Sequence, residues 1–327
     1  METGDAPRVS LVVPTRNEQA HIDACLRSLR AQRYPAERLE ILVVDGDSTD
    51  GTVATVRTHM AEDVRIQLLH NRERAAPNGM NIGIVAARGE YVGVVSAHSG
   101  LPQDYVRRAV ETIRSTGAWS IGGRIARTAE TPMQHAIALA TSSRIGVGDS
   151  GHNYAATAGW VETVFPGFWR RDVFERVGLF DPAMTANEDN ELSHRIRRAG
   201  GRIWYEPSIE IAYVPRATLS GLFSQYRRYA MGKVRVLRKH HGGLRWRHLA
   251  PAAWLAALLG GAVVGVFVPW ILAGWAIGVV GYLATILTAS VRLQRSGVAW
   301  WKIAAALVTL HVAYGVGTWH GVLTWRG

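Results

Sequence analysis

Two short polar stretches hold most of the side chains that could do chemistry. Pro14-Thr15-Arg16-Asn17-Glu18 follows the apolar run Val9 to Val13, and Asp45-Gly46-Asp47-Ser48-Thr49-Asp50-Gly51-Thr52 follows Ile41 to Val44. A carboxylate in such a loop can accept a hydrogen bond from a base or a ribose, and small residues beside it let the backbone approach a ligand closely. A turn and a helix cap account for Asp50-Gly51 but leave Asp45 and Asp47 unexplained. No G-x-x-x-x-G-K phosphate loop and no G-x-G-x-x-G fingerprint occur, so kinase and dinucleotide readings lose support. The one cysteine, Cys25, excludes an internal disulfide framework, and no Cys/His cluster has zinc spacing. Cys25 reads as a small buried helix residue.

The elements that position these loops alternate. Val9 to Val13, Ile41 to Val44, Arg65 to Leu69 and Tyr91 to Val95 read as strands. His21 to Arg30, Asp50 to His59 and Asn78 to Arg88 read as helices, the first with Ile22, Cys25, Leu26 and Leu29 on one face. That alternation predicts an open, mostly parallel α/β sheet. Ligands of such sheets lie beyond the carboxyl ends of the strands, where both polar loops fall.

Six pieces in one order then carry a resemblance: VVPTRNE at 12–18, VVDGDSTDGT at 43–52, Asn81 with AARGEY at 86–91, PGFWRR at 166–171, NEDNEL at 187–192 and QYRRY at 225–229. From Val9 to about Gly232 the chain resembles a family 2 inverting glycosyltransferase with a GT-A fold. It is similar to the exopolysaccharide, succinoglycan-type subgroup with a C-terminal membrane anchor. The resemblance implies a Rossmann-like GT-A domain, an amphipathic interface helix and about three C-terminal transmembrane helices. It also implies roles. Pro14, Thr15, Asn17 and Glu18 match the first nucleotide-contacting loop, Asp45 matches the carboxylate at the uracil ring, and Asp47 and Asn81 join the donor-binding set. Asp189 matches the catalytic base, with Glu188 the next candidate. Gln225, Arg228 and Tyr229 match a Q-x-x-R-W element near the donor diphosphate and acceptor, with Tyr in place of Trp. The family's D-x-D or D-x-H metal motif reads Ser96-Ala97-His98 here, so the first carboxylate is missing. His98 is left as the candidate ligand for Mn²⁺ or Mg²⁺, with diphosphate oxygens supplying the rest. A lone histidine at a strand end is otherwise a structural residue.

The base assignment also has a physical argument. Inverting transfer is a direct displacement at the anomeric carbon, and a carboxylate must take the acceptor hydroxyl's proton as the bond forms. Asn187 to Ala199, before Gly200-Gly201, reads as a helix capped at Asn187 with a glycine stop. Asp189 falls in its first turn, where the helix dipole favours the ionised form. Taken alone, Glu188-Asp189 is an ordinary acidic helix start.

Charge divides the chain. All 26 acidic residues lie at or before Glu210, whereas 13 of the 37 basic residues follow it, so the first 210 residues are near neutral and the tail holds the whole excess of +11. Those basic residues alternate with long apolar runs, which argues against nucleic acid and for an anionic membrane surface. His248 to Val291 and Ile303 to Trp325 contain no Asp, Glu, Lys or Arg. These runs predict spans near 249–268, 270–291 and 302–323, the first two a hairpin turning at Pro269. Leu219, Leu222, Phe223, Tyr226, Tyr229 and Ala230 recur at helical spacing beside basic residues and read as an amphipathic helix on the membrane surface. His311 and His320 inside the third span read as inter-helix hydrogen-bonding groups. With no secretory signal before Val9 and basic clusters flanking the spans, the expected domains are 1–214 catalytic, 215–247 interfacial and 248–327 transmembrane. The catalytic domain is expected in the cytoplasm at the inner (plasma) membrane. The expected partners are a nucleotide-sugar donor, a lipid-linked acceptor and the bilayer. A polyprenyl-phosphate sugar synthase and a non-catalytic nucleotide-sugar-binding scaffold are the alternatives.

Overall fold

The computed structural model describes residues 6–148, 157–184, 186–240, 246–295 and 297–324. They form two compact units: the described parts of 1–127 with 155–214, and of 128–154 with 215–327. The sequence reading draws 1–214 as one continuous domain, but residues 128–148 group with the C-terminal helices. Residues 241–245 of the expected interface segment lie outside the described residues.

The first unit follows the α/β alternation closely. Its strands are β1 (Val9–Thr15), β2 (Leu39–Asp45), β3 (Ile66–His70), β4 (Tyr91–Val94), β5 (Ser99–Gly100), β6 (Ser120–Arg127), β7 (Gly159–Val161), β8 (Gly167–Arg170) and β9 (Ile203–Tyr213). Its helices are α1 (Ile22–Arg30), α2 (Thr52–Glu62), α3 (Ala76–Ala86) and α4 (Tyr105–Thr116), and, after two helices of the second unit, α7 (Asp172–Val177) and α8 (Glu188–Arg198). The sheet order is β3-β2-β1-β4-β8-β6-β9-β5, with β7 also paired to β9. β1, β2, β3 and β4 run parallel, as do β6 and β9. β8, built from PGFWRR, runs against both β4 and β6. Continuous Val/Ile/Leu runs in β1 and β2 make both buried on each face, as expected of strands covered by helices on two sides. One face packs Ile22, Cys25, Leu26 and Leu29 of α1 and Val106, Val110 and Ile113 of α4, and the other packs Met80 and Ile84 of α3 and Leu192 and Ile196 of α8. Gly83 lets α3 lie flat on β1, since a Cβ there would strike the Val12 side chain.

Two polar devices lock α8. Glu191 is fully buried and paired with Arg195, Nη2 to Oε2 at 2.7 Å. The same guanidinium donates to the carbonyls of Val177, Gly178 and Leu179, which satisfies the chain entering the helix. Across the fold, Asn81 Nδ2 donates to the Phe180 carbonyl at 2.8 Å, and the Phe180 N–H donates to Asn81 Oδ1 at 2.9 Å.

The second unit contains α5 (Pro132–Thr141), α6 (Arg144–Val147), α9 (Leu219–Lys239), α10 (Trp246–Gly265), α11 (Pro269–Leu293) and α12 (Trp300–Thr324). Thr131 and Gln134 form a capping box at the start of α5. Part of the apolar face of α9, expected on a membrane surface, packs within the unit, while Tyr229 is exposed. Leu222 joins Ile137, Ile303, Leu307 and Leu310 in one core. Gly317 of α12 admits the α9 backbone at Arg227 so closely that a Cβ would have no room, and at Gly321 a Cβ would be tight against Met231 and Val234. His311 bridges three helices as an inter-helix hydrogen-bonding group: Nε2 is 2.8 Å from the Ile145 carbonyl and Nδ1 is 3.0 Å from Tyr282 Oη.

The three expected spans fall on α10, α11 and α12, and one of them is supported as a membrane span. Among the described residues one helix, Pro269–Leu293, is long and apolar enough to cross a membrane, and the apolar part of α10, Ala250–Gly265, is shorter. α12 has the length but includes Lys302, His311 and His320, and it buries Ile303, Ala306, Leu310, Gly317 and Gly321 along its faces. Helix length was legible from the uncharged runs, whereas the commitment of α12 to protein neighbours was not.

The lock on α8 is testable. Arg195→Ala removes the guanidinium paired with the buried Glu191 carboxylate and strips three carbonyls of a donor. It should cost about 3–5 kcal/mol of stability, the range for breaking a buried pair from one side. Chemical denaturation should read this as a lower midpoint with an unchanged slope.

Candidate active site

The loops after β1 and β2 are tied to each other. Asn17 N–H donates to Ser48 Oγ at 2.9 Å, and Thr49 N–H donates back to Asn17 Oδ1 at 2.8 Å. Glu18 N–H donates to Thr52 Oγ1 at 2.8 Å, Gln19 N–H to Asp50 Oδ2 at 3.1 Å, and Gly51 N–H to Gln19 Oε1 at 2.9 Å. The Glu18 carbonyl receives the N–H groups of His21 and Ile22, which starts α1. Asn17 and Asp47 take left-handed backbone, φ 54° and 64°, a conformation their short polar side chains tolerate better than most.

Asp45 ends β2 in register with Thr15 at the end of β1. It is buried, and its carboxylate accepts from Ser48, N–H to Oδ2 at 3.0 Å and hydroxyl to Oδ1 at 2.6 Å. A carboxylate has about four acceptor positions, so acceptor capacity remains after these two bonds. Thr15 Oγ1 and Asn71 Oδ1, at the ends of β1 and just after β3, are buried without a hydrogen-bond partner. Orphaned polar atoms are uncommon in folded chains, and here two occur at one edge of the sheet. Pro14 is half-buried in the same strand end. Asp50 accepts from the Thr52 hydroxyl and N–H, and that hydroxyl holds its carboxyl below the usual range. The helix cap expected of Asp50 is thus made one residue before the structural N-cap, Gly51.

Asp47 points elsewhere. Its carboxylate pairs with Arg74, with His70 Nε2 3.4 Å away, and the Arg74 guanidinium holds it below the usual carboxylate range. Arg74 is a contact that sequence reading missed, since nothing local links the loop after β2 to the loop after β3. Asn81, expected in the donor set, lies within α3 with both ends of its amide taken by the Phe180 backbone, so the structure gives it a bracing position. Cys25 is buried, which pushes its thiol up to about 12 and leaves it inert.

His98, in the turn after β4, meets Glu18 of the first loop. His98 Nδ1 is 3.4 Å from Glu18 Oε1, and Ser96 Oγ lies 3.1 Å from Nε2. The imidazole is edge-on to His21 at 6.3 Å and to Tyr213 at 5.8 Å between ring centres. Among the described residues no group of three or more His, Cys, Asp or Glu could hold a metal ion unaided. The donors present fit a divalent cation only when ligand oxygens complete its shell.

Glu188 and Asp189 occupy the first turn of α8 with Asn187 in left-handed conformation, φ 61°, at the N-cap. The Asn187 side chain makes no cap bond, contrary to the expected side-chain cap. Glu188 is only half-buried by surface, but it is closely walled by protein. Desolvation first, and the Asp189 charge second, push its carboxyl up to about 7. Glu188 thus holds its proton to higher pH than an ordinary carboxyl, as the acid of a carboxylate pair does. Gln225, Arg228 and Tyr229 all lie on α9, in the second unit. Gln225 is buried and its Nε2 donates to Tyr229 Oη at 3.0 Å, while Arg228 and Tyr229 are exposed.

Comparison with known proteins agrees with this geometry. The model of Glycosyl transferase family 2 matches residues 10–160. The chain is 32% identical over 322 residues to the succinoglycan biosynthesis protein ExoA of Rhizobium meliloti (strain 1021), covering 97% of this chain and 95% of that protein. It is 28% identical over 270 residues, 80% of this chain and 83% of the other, to the dolichyl N-acetyl-alpha-D-glucosaminyl phosphate 3-beta-D-2,3-diacetamido-2,3-dideoxy-beta-D-glucuronosyltransferase of Methanococcus voltae. Among solved structures, the mannosyltransferase PcManGT from Pyrobaculum calidifontis, in complex with GDP-Man and Mn²⁺, matches with a TM-score of 0.65 at 22% identity over 96% of this chain and 88% of that one. At that identity the structural likeness speaks to the fold alone, which is the α/β domain of GT-A type. With a relative 32% identical along nearly its whole length, the chain belongs to glycosyl transferase family 2 and is a glycosyltransferase.

Proposed function

We propose that the chain transfers a sugar, with inversion, from a nucleotide sugar, UDP-linked in the first instance, to a lipid-linked saccharide during polysaccharide or glycolipid synthesis. The observation that carries the reading is the carboxyl pair in the first turn of α8, where burial raises Glu188 beside Asp189. Asp189 is then the base that takes the acceptor hydroxyl's proton as the new glycosidic bond forms. The nucleoside lies over the ends of β1 and β2, against Pro14, Thr15, Asn17 and Asp45. Two orphaned buried atoms at that edge, on Thr15 and Asn71, favour a polar ligand there. A divalent cation held at His98 would neutralise charge on the departing diphosphate. Gln225, Arg228 and Tyr229 on α9 are assigned to the diphosphate and acceptor.

The acceptor class follows from chemistry and kinship. The Methanococcus voltae relative acts, by its name, on a lipid-linked saccharide, and the Rhizobium meliloti relative serves succinoglycan biosynthesis. The apolar helix Pro269–Leu293 supports a membrane location for such an acceptor. We keep 1–214 as the catalytic region, 215–247 as the basic segment beside the membrane and 248–327 as the membrane domain, multi-pass and facing the cytoplasm with its catalytic side. A mannosyltransferase bound to GDP-Man shares the fold, so the nucleotide is tested rather than assumed.

Two substitutions separate binding from chemistry. Asp189→Asn keeps size and should lower turnover by about 10²–10⁴-fold, the usual contribution of a general base. Its affinity for UDP, or for GDP if that is the base accepted, should stay at the parent level by calorimetry. Asp45→Ala should weaken nucleotide binding first. Parent-like turnover by Asp189→Asn would move the base to another group, Glu188 first.

The raised carboxyl of Glu188 gives a pH signature. Its folded value, about 7, lies above the ordinary carboxylate value of 4.5, so the folded state holds the proton more tightly. The stability associated with that proton is complete below 4.5 and is lost as pH rises through 7. Glu188→Gln cannot ionise and escapes that loss. Its melting temperature should gain on the parent steadily from pH 5 to pH 8. A constant difference across that range would show that Glu188 is not held protonated.

A further inference from the structure

We infer that Glu18 supplies the carboxylate missing from the motif after β4, so that Glu18 and His98 together form the protein half of a divalent-cation site that a nucleoside diphosphate completes. The inference rests on the donor-site reading above and adds a ligand to it.

Ser96 is a neutral hydroxyl where a charged oxygen ligand would be needed, and hard cations such as Mn²⁺ and Mg²⁺ favour carboxylate oxygen. The nearest carboxylate to His98 comes from another strand: Glu18 Oε1 is 3.4 Å from His98 Nδ1. Adjacent corners of an octahedron with bonds of about 2.1 Å are about 3.0 Å apart, so the two atoms stand close to the spacing of neighbouring ligands on one ion. Neither residue is loosely held. The Glu18 backbone is fixed on both sides, its N–H by Thr52 Oγ1 and its carbonyl by the first N–H groups of α1. His98 is enclosed by Ser96, His21 and Tyr213. Both side chains remain partly open to solvent, 23% for Glu18 and 33% for His98, so an ion has access.

The charge of this donor pair sets its behaviour. A neutral imidazole and one carboxylate bring a single negative charge, and among the described residues no third acidic or thiol group joins them. The pair alone should bind a divalent cation weakly. With a diphosphate beside it, oxygen ligands and negative charge both become sufficient, which makes cation and nucleotide bind cooperatively. An ion pair between Glu18 and a protonated His98 is the plain structural reading, and it predicts no dependence of cation binding on Glu18.

The test is Mn²⁺ binding by the full-length protein, reading free Mn²⁺ by electron paramagnetic resonance with and without saturating UDP, or GDP if that is the nucleotide bound. The parent should take up Mn²⁺ far more tightly with nucleotide present. Glu18→Gln, which keeps the shape of the side chain, and His98→Ala should each weaken that uptake by at least about tenfold, since even groups that merely orient a metal ligand cost 10–100-fold. Nucleotide affinity without metal, measured on Glu18→Gln, separates a lost cation ligand from a lost nucleotide contact. Adding Ser96→Asp to Glu18→Gln should restore Mn²⁺ uptake, because it returns a carboxylate to the site. Parent-like Mn²⁺ uptake by Glu18→Gln, with uptake lost in His98→Ala, would overturn the inference and leave the cation at His98. No uptake by the nucleotide-bound parent would overturn the cation reading itself.

Discussion

The site depends first on the interlock between the loops after β1 and β2. Each loop alone would leave backbone N–H groups unsatisfied at the edge of the sheet, and each solves the problem with the other's side chains. Asn17 and Ser48 exchange bonds with Thr49 and Asn17 backbone, Thr52 receives Glu18, and Gln19 reaches back to Gly51. Each bond contributes only about 0.5–1.5 kcal/mol net, but a lost partner would strand a donor. The interlock fixes two separate things at once. It presents Asp45 and Thr15 side by side at the strand ends, and it aims the Glu18 side chain across to His98. The proposed nucleotide and cation sites therefore rest on one set of loop contacts.

The second constraint acts at the far side of the sheet order, where the chain must hold two carboxylates next to each other in one helical turn. Like charges at that spacing repel, and the fold answers through burial. It draws the proton onto Glu188 by desolvation and keeps α8 in place through the buried Glu191–Arg195 pair. Arg195 is saturated by Glu191 and three carbonyls, so its charge is spent on the helix and not on the pair in the first turn.

Much of this was legible in the sequence, for physical reasons that differ by element. β1 and β2 are short runs of Val, Ile and Leu buried on both faces, and the polar loops that end them are abrupt, so the strand ends could be found within two residues. α8 was legible within one residue at each end, because charge in the first turn and Gly200-Gly201 mark its limits. The α5 and α6 segment was not, since its grouping with the C-terminal helices comes from long-range packing of Ile137 and Ala140 on α12. The three runs were legible as helices, and one of them is supported as a membrane span. An uncharged run gives helix length, but α12 covers itself with α9 and α5 partners, and composition does not distinguish those from lipid. In the candidate site, Asp45 stood out because a turn and a helix cap leave it unexplained. The Glu18–His98 and Asp47–Arg74 contacts did not, as each joins residues from different strands with no local pattern. The Asn81–Phe180 bonds were not legible either, because a motif position does not reveal what the amide meets 99 residues along the chain.

The most direct measurement of the account is amide hydrogen exchange of the full chain, free and with a nucleoside diphosphate bound at saturation as verified by calorimetry. If the interlocked loops cradle the nucleotide, peptides covering 15–19 and 45–52 should slow together, because their donors belong to one network. Binding that leaves both segments exchanging as in the free protein would contradict it, and would put the donor site elsewhere in the fold.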